Sequence, residues 1–237
     1  MKNYVLHIIV FFCGIQLLFG QTNINTVFNL LEAHTYKTKT YRLLKPVNLN
    51  SNNKSQYIIS LHAVGGRGTD NLKQNKDCRW INYMAKEEIR KCCPCYLLVP
   101  KSNELWKKYH LNKFKEIISQ LPSVDTNRIY ILGHSMGGHC TYRLIQIDPD
   151  YFAAAAPSAG SGLTETYDFF DVSVIKNIPI WVFHGDADKR CSYEKEHKVF
   201  ADMQKIVRNM KFNTWNGDGY DRQIALKMIT GSNNGIT

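Results

Sequence analysis

Gly133-His134-Ser135-Met136-Gly137 sets one serine between two glycines, and Gly138 extends the run. A G-x-S-x-G pattern suits a serine exposed on a sharp, strained turn, where bulky flanking residues would clash. The chemistry it points to is attack by a hydroxyl nucleophile. The start of a helix just beyond the serine favours the negative charge that such an attack develops. The pattern needs a strand before it and a helix after it. Arg128 to Leu132 reads as a strand that feeds it, and Met136 to Ile147 reads as a helix closed by Asp148-Pro149.

Further elements are legible on both sides. Tyr57 to Leu61 is β-rich and runs into the loop His62-Ala63-Val64-Gly65-Gly66-Arg67-Gly68. Leu72 to Ile89 has helical spacing, and Tyr96 to Val99 is a strand stopped by Pro100. Leu111, Phe114, Ile117, Ile118 and Leu121 recur at steps of three and four, which predicts a helix ended by Pro122. Phe152 to Ala156, Pro179 to Phe183 and Lys211 to Trp215 read as strands, and Tyr193 to Val207 as a helix. Continuous apolar strands alternating with helices predict an α/β protein: one mostly parallel central sheet with helices on both faces. The 237 residues suffice for one domain, and no Pro/Gly/Ser-rich linker divides them.

Read together, several segments resemble the polyhydroxybutyrate-depolymerase and feruloyl-esterase branch of the α/β-hydrolases. They are Asp125 through Gly138, Pro149 through Pro157, the loop Leu61 through Asn71, Val99-Pro100 with Trp106, and Phe183-His184-Gly185-Asp186-Ala187-Asp188. The resemblance runs in order over roughly residues 55 to 235. It implies an α/β-hydrolase fold and hydrolysis of carboxylic esters without a cofactor or metal.

That resemblance also distributes roles. Ser135 is the expected nucleophile. The amide of Met136, which follows it, is one expected oxyanion donor, and the amide of Val64 is the other, with Ala63 as its competitor. Ala63 stands where the family usually has glycine. The pattern His184-Gly185-x-x-Asp188 assigns the orienting acid to Asp188, with Asp186 as the competitor; either could instead cap the following helix. The base is the departure. The family has Trp-x-Gly-Asp-x-His, whereas this chain reads Trp215-Asn216-Gly217-Asp218-Gly219-Tyr220, so Tyr220 stands where the histidine is expected. His197, the one histidine beyond Asp188, falls within a predicted helix and reads as a surface residue.

Composition bounds the setting. The chain is 44% hydrophobic and 21% charged, the profile of a globular protein. Lys2, the apolar stretch from Val5 to Phe19 and Gly20 read as a signal peptide over residues 1–20, ahead of a hydrolase domain over 21–237. The expectation is a secreted or periplasmic protein with no membrane span. Seven cysteines are present, and losing Cys13 with the signal leaves six. Cys92, Cys93 and Cys95 read as structural, with Cys78 a candidate partner for one bridge; half of a zinc site is missing. A net charge of +10 can draw a basic protein to acidic polysaccharide, although scattered lysines also make an ordinary solvated surface. No basic helix or RNA-binding aromatic signature accompanies the charge, so nucleic acid is not an expected partner.

Two functions from different classes follow. The first is a secreted serine esterase acting on a small-molecule or polymeric ester, of the feruloyl, acetyl or polyester kind. The second is a catalytically impaired homologue that binds an ester or glycan, favoured by Tyr220. A peptidase on the same fold is the weaker third reading, since the sequence leaves no room for a gating domain.

Overall fold

Alternate residues of the central strands serve two different cores. In β3, Tyr57, Ile59 and Leu61 pack into one buried cluster with Ile129 and Ile131, whereas Ile58 packs into another with Leu97 and Val99. A strand covered on both faces has no polar side, which is why these segments read as continuous apolar runs. The protein is described from a computed structural model, over residues 27, 29–49, 53–77, 80–160, 171–207 and 209–217. The expected signal segment, Cys13, Cys78, Asp218 and Tyr220 lie outside the described residues.

The strands are β1 (Glu32–Tyr36), β2 (Lys39–Leu44), β3 (Ser55–Leu61), β4 (Cys95–Pro100), β5 (Val124–His134), β6 (Ala154–Ser158), β7 (Ile180–Gly185) and β8 (Met210–Trp215). They form one 8-stranded sheet in the order β1-β2-β4-β3-β5-β6-β7-β8. The neighbours from β4 through β8 are parallel, and β1 and β2 add antiparallel pairings at one edge. The helices are α1 (Lys73–Asp77), α2 (Trp80–Met84), α3 (Glu87–Cys92), α4 (Lys108–Ser119), α5 (Met136–Ile147), α6 (Val172–Ile175) and α7 (Tyr193–Ile206). Leu111, Phe114, Ile117 and Ile118 of α4 join the first cluster, while Ile81, Met84 and Ile89 of α2 and α3 join the second. The architecture is the α/β-hydrolase fold, as expected. No helix among the described residues is long and apolar enough to cross a membrane.

Two expectations of detail need correction. The helix expected over Leu72 to Ile89 does not run unbroken to its end: Lys86 turns extended at φ −63 and ψ 139 and separates α3 from α2. The hairpin of β1 and β2 has no counterpart in the sequence reading. Its turn places Lys37 at φ 54 without glycine or Asn-Gly, so the usual short-range hairpin signal is missing.

The topology decides where chemistry can happen. The parallel strands end together: Leu61 is in register with Gly133, Gly133 with Pro157, and Gly185 with Trp215. Loops leaving these carboxyl ends therefore meet at one edge of the sheet, the usual place for a site in an open α/β fold.

Candidate active site

Ser135 occupies the single residue between β5 and α5, with φ 53 and ψ −116. A non-glycine residue at positive φ costs about 1–3 kcal/mol, a strain that persists only where its surroundings impose it. They do so here. The Ser135 amide donates to the Ser158 carbonyl of β6 at 2.9 Å, and the Ser135 carbonyl accepts from His139 of α5 at 2.9 Å. A serine at a helix start commonly caps it with its hydroxyl, yet Ser135 makes no such bond. Its Oγ instead lies 3.8 Å from Cys191 Sγ. Glycine is obligatory beside it: a Cβ on Gly137 would sit 2.2 Å from the Leu61 carbonyl oxygen, and one on Gly133 would sit 2.3 Å from that of Gly137.

The Gly137 contact also presses the turn against the end of β3, where the Val64 loop begins. Val64–Gly66 forms one 3-10 turn, closed by the Gly66 amide on the Ala63 carbonyl and the Arg67 amide on the Val64 carbonyl, each at 3.0 Å. His62 is buried at its root. The Ser102 amide donates to His62 Nε2 at 3.1 Å, so the ring proton belongs on Nδ1, which donates to the Ala63 carbonyl at 2.7 Å. In a planar trans peptide the N–H points opposite to the C=O. Holding the Ala63 carbonyl therefore turns the Val64 N–H the other way. Val64 is 52% exposed, while Met136, in the first turn of α5, is fully buried. Lys101, following β4, pins the far end of the loop: its Nζ, on a side chain 2% exposed, donates to the Gly66 carbonyl at 2.7 Å and to Asp70 Oδ1 at 2.9 Å.

Asp188 lies in the loop after β7. Its Oδ1 accepts from the Arg190 amide at 2.8 Å and the Cys191 amide at 3.0 Å, and its Oδ2 lies 3.6 Å from His184 Nε2. It is thus linked to Ser135 through Cys191. Asp186 instead accepts from the Gly217 amide at 2.9 Å, tying the same loop to the chain beyond β8. Neither acid caps α7, a task that falls to Ser192. The structure therefore gathers Ser135, Met136, Val64 and Asp188 at one end of the sheet; Tyr220 lies outside the described residues. His197 is exposed on α7 within an aromatic group of Tyr193, Phe200 and Phe212.

Behind this loop sits a buried pair that the sequence reading assigned no role. His184 Nδ1 lies 2.5 Å from Glu196 Oε2, and neither side chain is exposed. His184 Nε2 faces the Cys191 carbonyl at 3.1 Å. With an oxygen facing each ring nitrogen, the ring is placed to donate twice, which favours its protonated form. Burial opposes that charge, but the bond to Glu196, its charge and that of Asp188 outweigh it and raise the His184 pKa. Glu196 Oε2 also accepts from the Gly160 amide at 3.2 Å, beside the turn of Ser135. A signal for Glu196 existed: it stands in the same helical stripe as buried Val199 and Met203.

Cys92, Cys93, Cys95, Cys140 and Cys191 carry free thiols; Cys78, the candidate partner for one of the first three, is outside the described residues. Among the described residues no group of three or more His, Cys, Asp or Glu could hold a metal ion.

Comparison with known proteins agrees with this architecture. The sequence model of the prolyl oligopeptidase family matches residues 105–177, a stretch that contains Ser135. No curated protein matches the sequence. Among solved structures, a thermostable esterase is 27% identical, with a TM-score of 0.72 over 86% of this chain. The chain spans 63% of that protein's length. S-formylglutathione hydrolase from Staphylococcus aureus is 16% identical, with a TM-score of 0.63 over 85% of this chain and 94% of its own. A ferulic acid esterase is 14% identical, with a TM-score of 0.62 over 84% of this chain and 96% of its own. These last two likenesses are of fold.

Proposed function

We propose that the protein is a serine hydrolase of carboxylic esters, acting through Ser135. The observation that carries this reading is the strained Ser135 turn, whose hydroxyl is spared from capping α5. In the reaction, Ser135 Oγ bonds to the ester carbonyl carbon and gives up its proton. The carbonyl oxygen becomes an oxyanion facing the Met136 and Val64 amides. The bond to the alcohol then breaks, and the alcohol leaves with the proton. Water repeats the addition on the acyl-serine, releasing the acid and restoring Ser135. Preorganised donors of this kind stabilise the transition state by about 2.7–4 kcal/mol each. In this reading Asp188 orients the base, and the substrate is a feruloyl or acetyl ester of the plant wall or a polyester. The protein works outside the cytoplasm after removal of residues 1–20.

A second reading is an impaired homologue that binds an ester or glycan. It is favoured by Tyr220, because a phenol of free pKa about 10 is a poor proton acceptor at neutral pH. Hydrolysis of p-nitrophenyl acetate and butyrate by wild type and Ser135→Ala separates the two. Turnover that vanishes in Ser135→Ala supports the esterase. Equal, negligible rates in both, with no fluorophosphonate adduct on Ser135, support the impaired homologue.

A further inference from the structure

Two cations serve the loop after β3, and they differ in one respect. The Lys101 ammonium has the Gly66 carbonyl and the Asp70 carboxylate as partners. Arg67, at the end of the 3-10 turn, has no hydrogen-bond acceptor for its Nε among the described residues. Its Nε is shielded from solvent with no hydrogen-bond partner, and no carboxylate among the described residues pairs with its side chain. Asp70, the nearest acid in sequence, is engaged by Lys101 and Lys73. An arginine cannot shed its charge, and a buried donor left unsatisfied is unfavourable. Such a side chain is suited to an acceptor that the described residues do not supply.

Its position narrows what that acceptor is. Arg67 follows Gly66, which packs so closely on the His62 ring that a Cβ there would lie 2.5 Å from it. The loop itself abuts the Ser135 turn at Gly137. Across the loop, burial pushes the Cys140 thiol of α5 up to about 11, with the Trp106 backbone and the charges of Arg143 and Arg67 opposing. The Arg67 charge is therefore felt in the opening turns of the helix that Ser135 begins.

We propose that Arg67 is the receptor for a carboxylate carried by the ester substrate, so that anionic esters are the preferred class. The planar guanidinium matches a carboxylate with two parallel bonds, which gives both affinity and orientation. The proposal rests on the reading of Ser135 as nucleophile and adds the substrate's charge to it.

The test compares a matched pair of esters at about 0.15 M salt, where the net charge of the protein is screened beyond about 8 Å. Mono-p-nitrophenyl succinate carries a carboxylate, and p-nitrophenyl butyrate does not. Wild type is expected to favour the succinate by about tenfold or more in kcat/KM, the scale of one charge-assisted bond. In Arg67→Gln that ratio should collapse to about one or below, and Arg67→Lys, which keeps charge but loses the fork, should fall between. A wild-type ratio near one, or a ratio unchanged in folded Arg67→Gln and Arg67→Lys, overturns the proposal while leaving the serine reading intact. If wild type hydrolyses neither ester, the serine reading fails, and calorimetric binding of monomethyl succinate to wild type and Arg67→Gln decides the matter. Binding lost in the variant supports the receptor, and binding that is absent from wild type or equal in both overturns it.

Discussion

Glu196 and His184 meet at 2.5 Å with both side chains wholly shielded from solvent, directly behind the loop that carries Asp188 and Cys191. The pair has a pH signature. The raised His184 pKa means that the folded state holds its proton more tightly than the unfolded chain does. Its stabilising contribution is therefore fully present below about pH 6.5, the unfolded histidine value, and is lost as pH rises through the folded value. Urea denaturation of wild type and His184→Asn across this range should show their difference in stability shrinking as pH rises. A difference that is flat or grows with pH contradicts the charged pair. Glu196→Ala removes the hydrogen-bonded carboxylate of the pair, leaving His184 only Asp188 at 3.6 Å, and should destabilise by about 3 kcal/mol.

Gly137 has no room for a side chain. A Cβ there would meet the Leu61 carbonyl oxygen at 2.2 Å and the His62 carbonyl oxygen at 3.0 Å, both backbone atoms that cannot swing aside. Gly137→Ala should destabilise by about 1–3 kcal/mol and reduce hydrolysis, because the Ser135 turn and the Val64 loop must separate. Thermal unfolding and p-nitrophenyl ester assays read both effects. Wild-type stability with wild-type turnover would mean that the two segments do not touch in solution.

Lys101→Met keeps most of the side-chain volume and removes the ammonium from the Gly66 carbonyl and Asp70. The loop loses its far anchor, while His62 still holds the Ala63 carbonyl. Misplacing an oxyanion donor by about 1 Å can cost on the order of 10²-fold in rate. We expect kcat to fall by about tenfold to a hundredfold with a smaller change in KM. A rise in KM at constant kcat would assign Lys101 to substrate binding instead.

Tyr220→His is expected to raise ester hydrolysis by about 10² to 10⁴, the usual contribution of a positioned general base. Gly217, two residues beyond β8, is hydrogen-bonded to Asp186 and Ala187, in the same loop as Asp188. An imidazole of pKa about 6.5 can take the serine proton and return it to the alcohol, which a neutral phenol does poorly. Rates for wild type, Tyr220→His and Tyr220→His with Ser135→Ala provide the check. Ordinary esterase rates in wild type with no gain from histidine would mean that another base serves.

Local periodicity determined much of this protein before any folding was known. The apolar runs of β3, β5 and β7 and the helical spacing of α4, α5 and α7 are set by neighbours a few residues apart, and so is the strand–turn–helix around Ser135. The order of those elements was enough for a parallel sheet and an α/β-hydrolase fold. What the sequence left open depends on contacts between distant segments. Lys101 reaches back 35 residues to Gly66, Cys191 lies 56 residues from Ser135, and Glu196 and His184 meet from a helix and a strand. No short-range pattern encodes such meetings, because they exist only once the sheet has set its strand order and brought the carboxyl ends together. The sequence named Ser135, Val64 and Asp188; the tertiary structure decided that a shielded histidine–glutamate pair stands behind Asp188, and that of the two cations at the Val64 loop only Lys101 pairs with a carboxylate among the described residues.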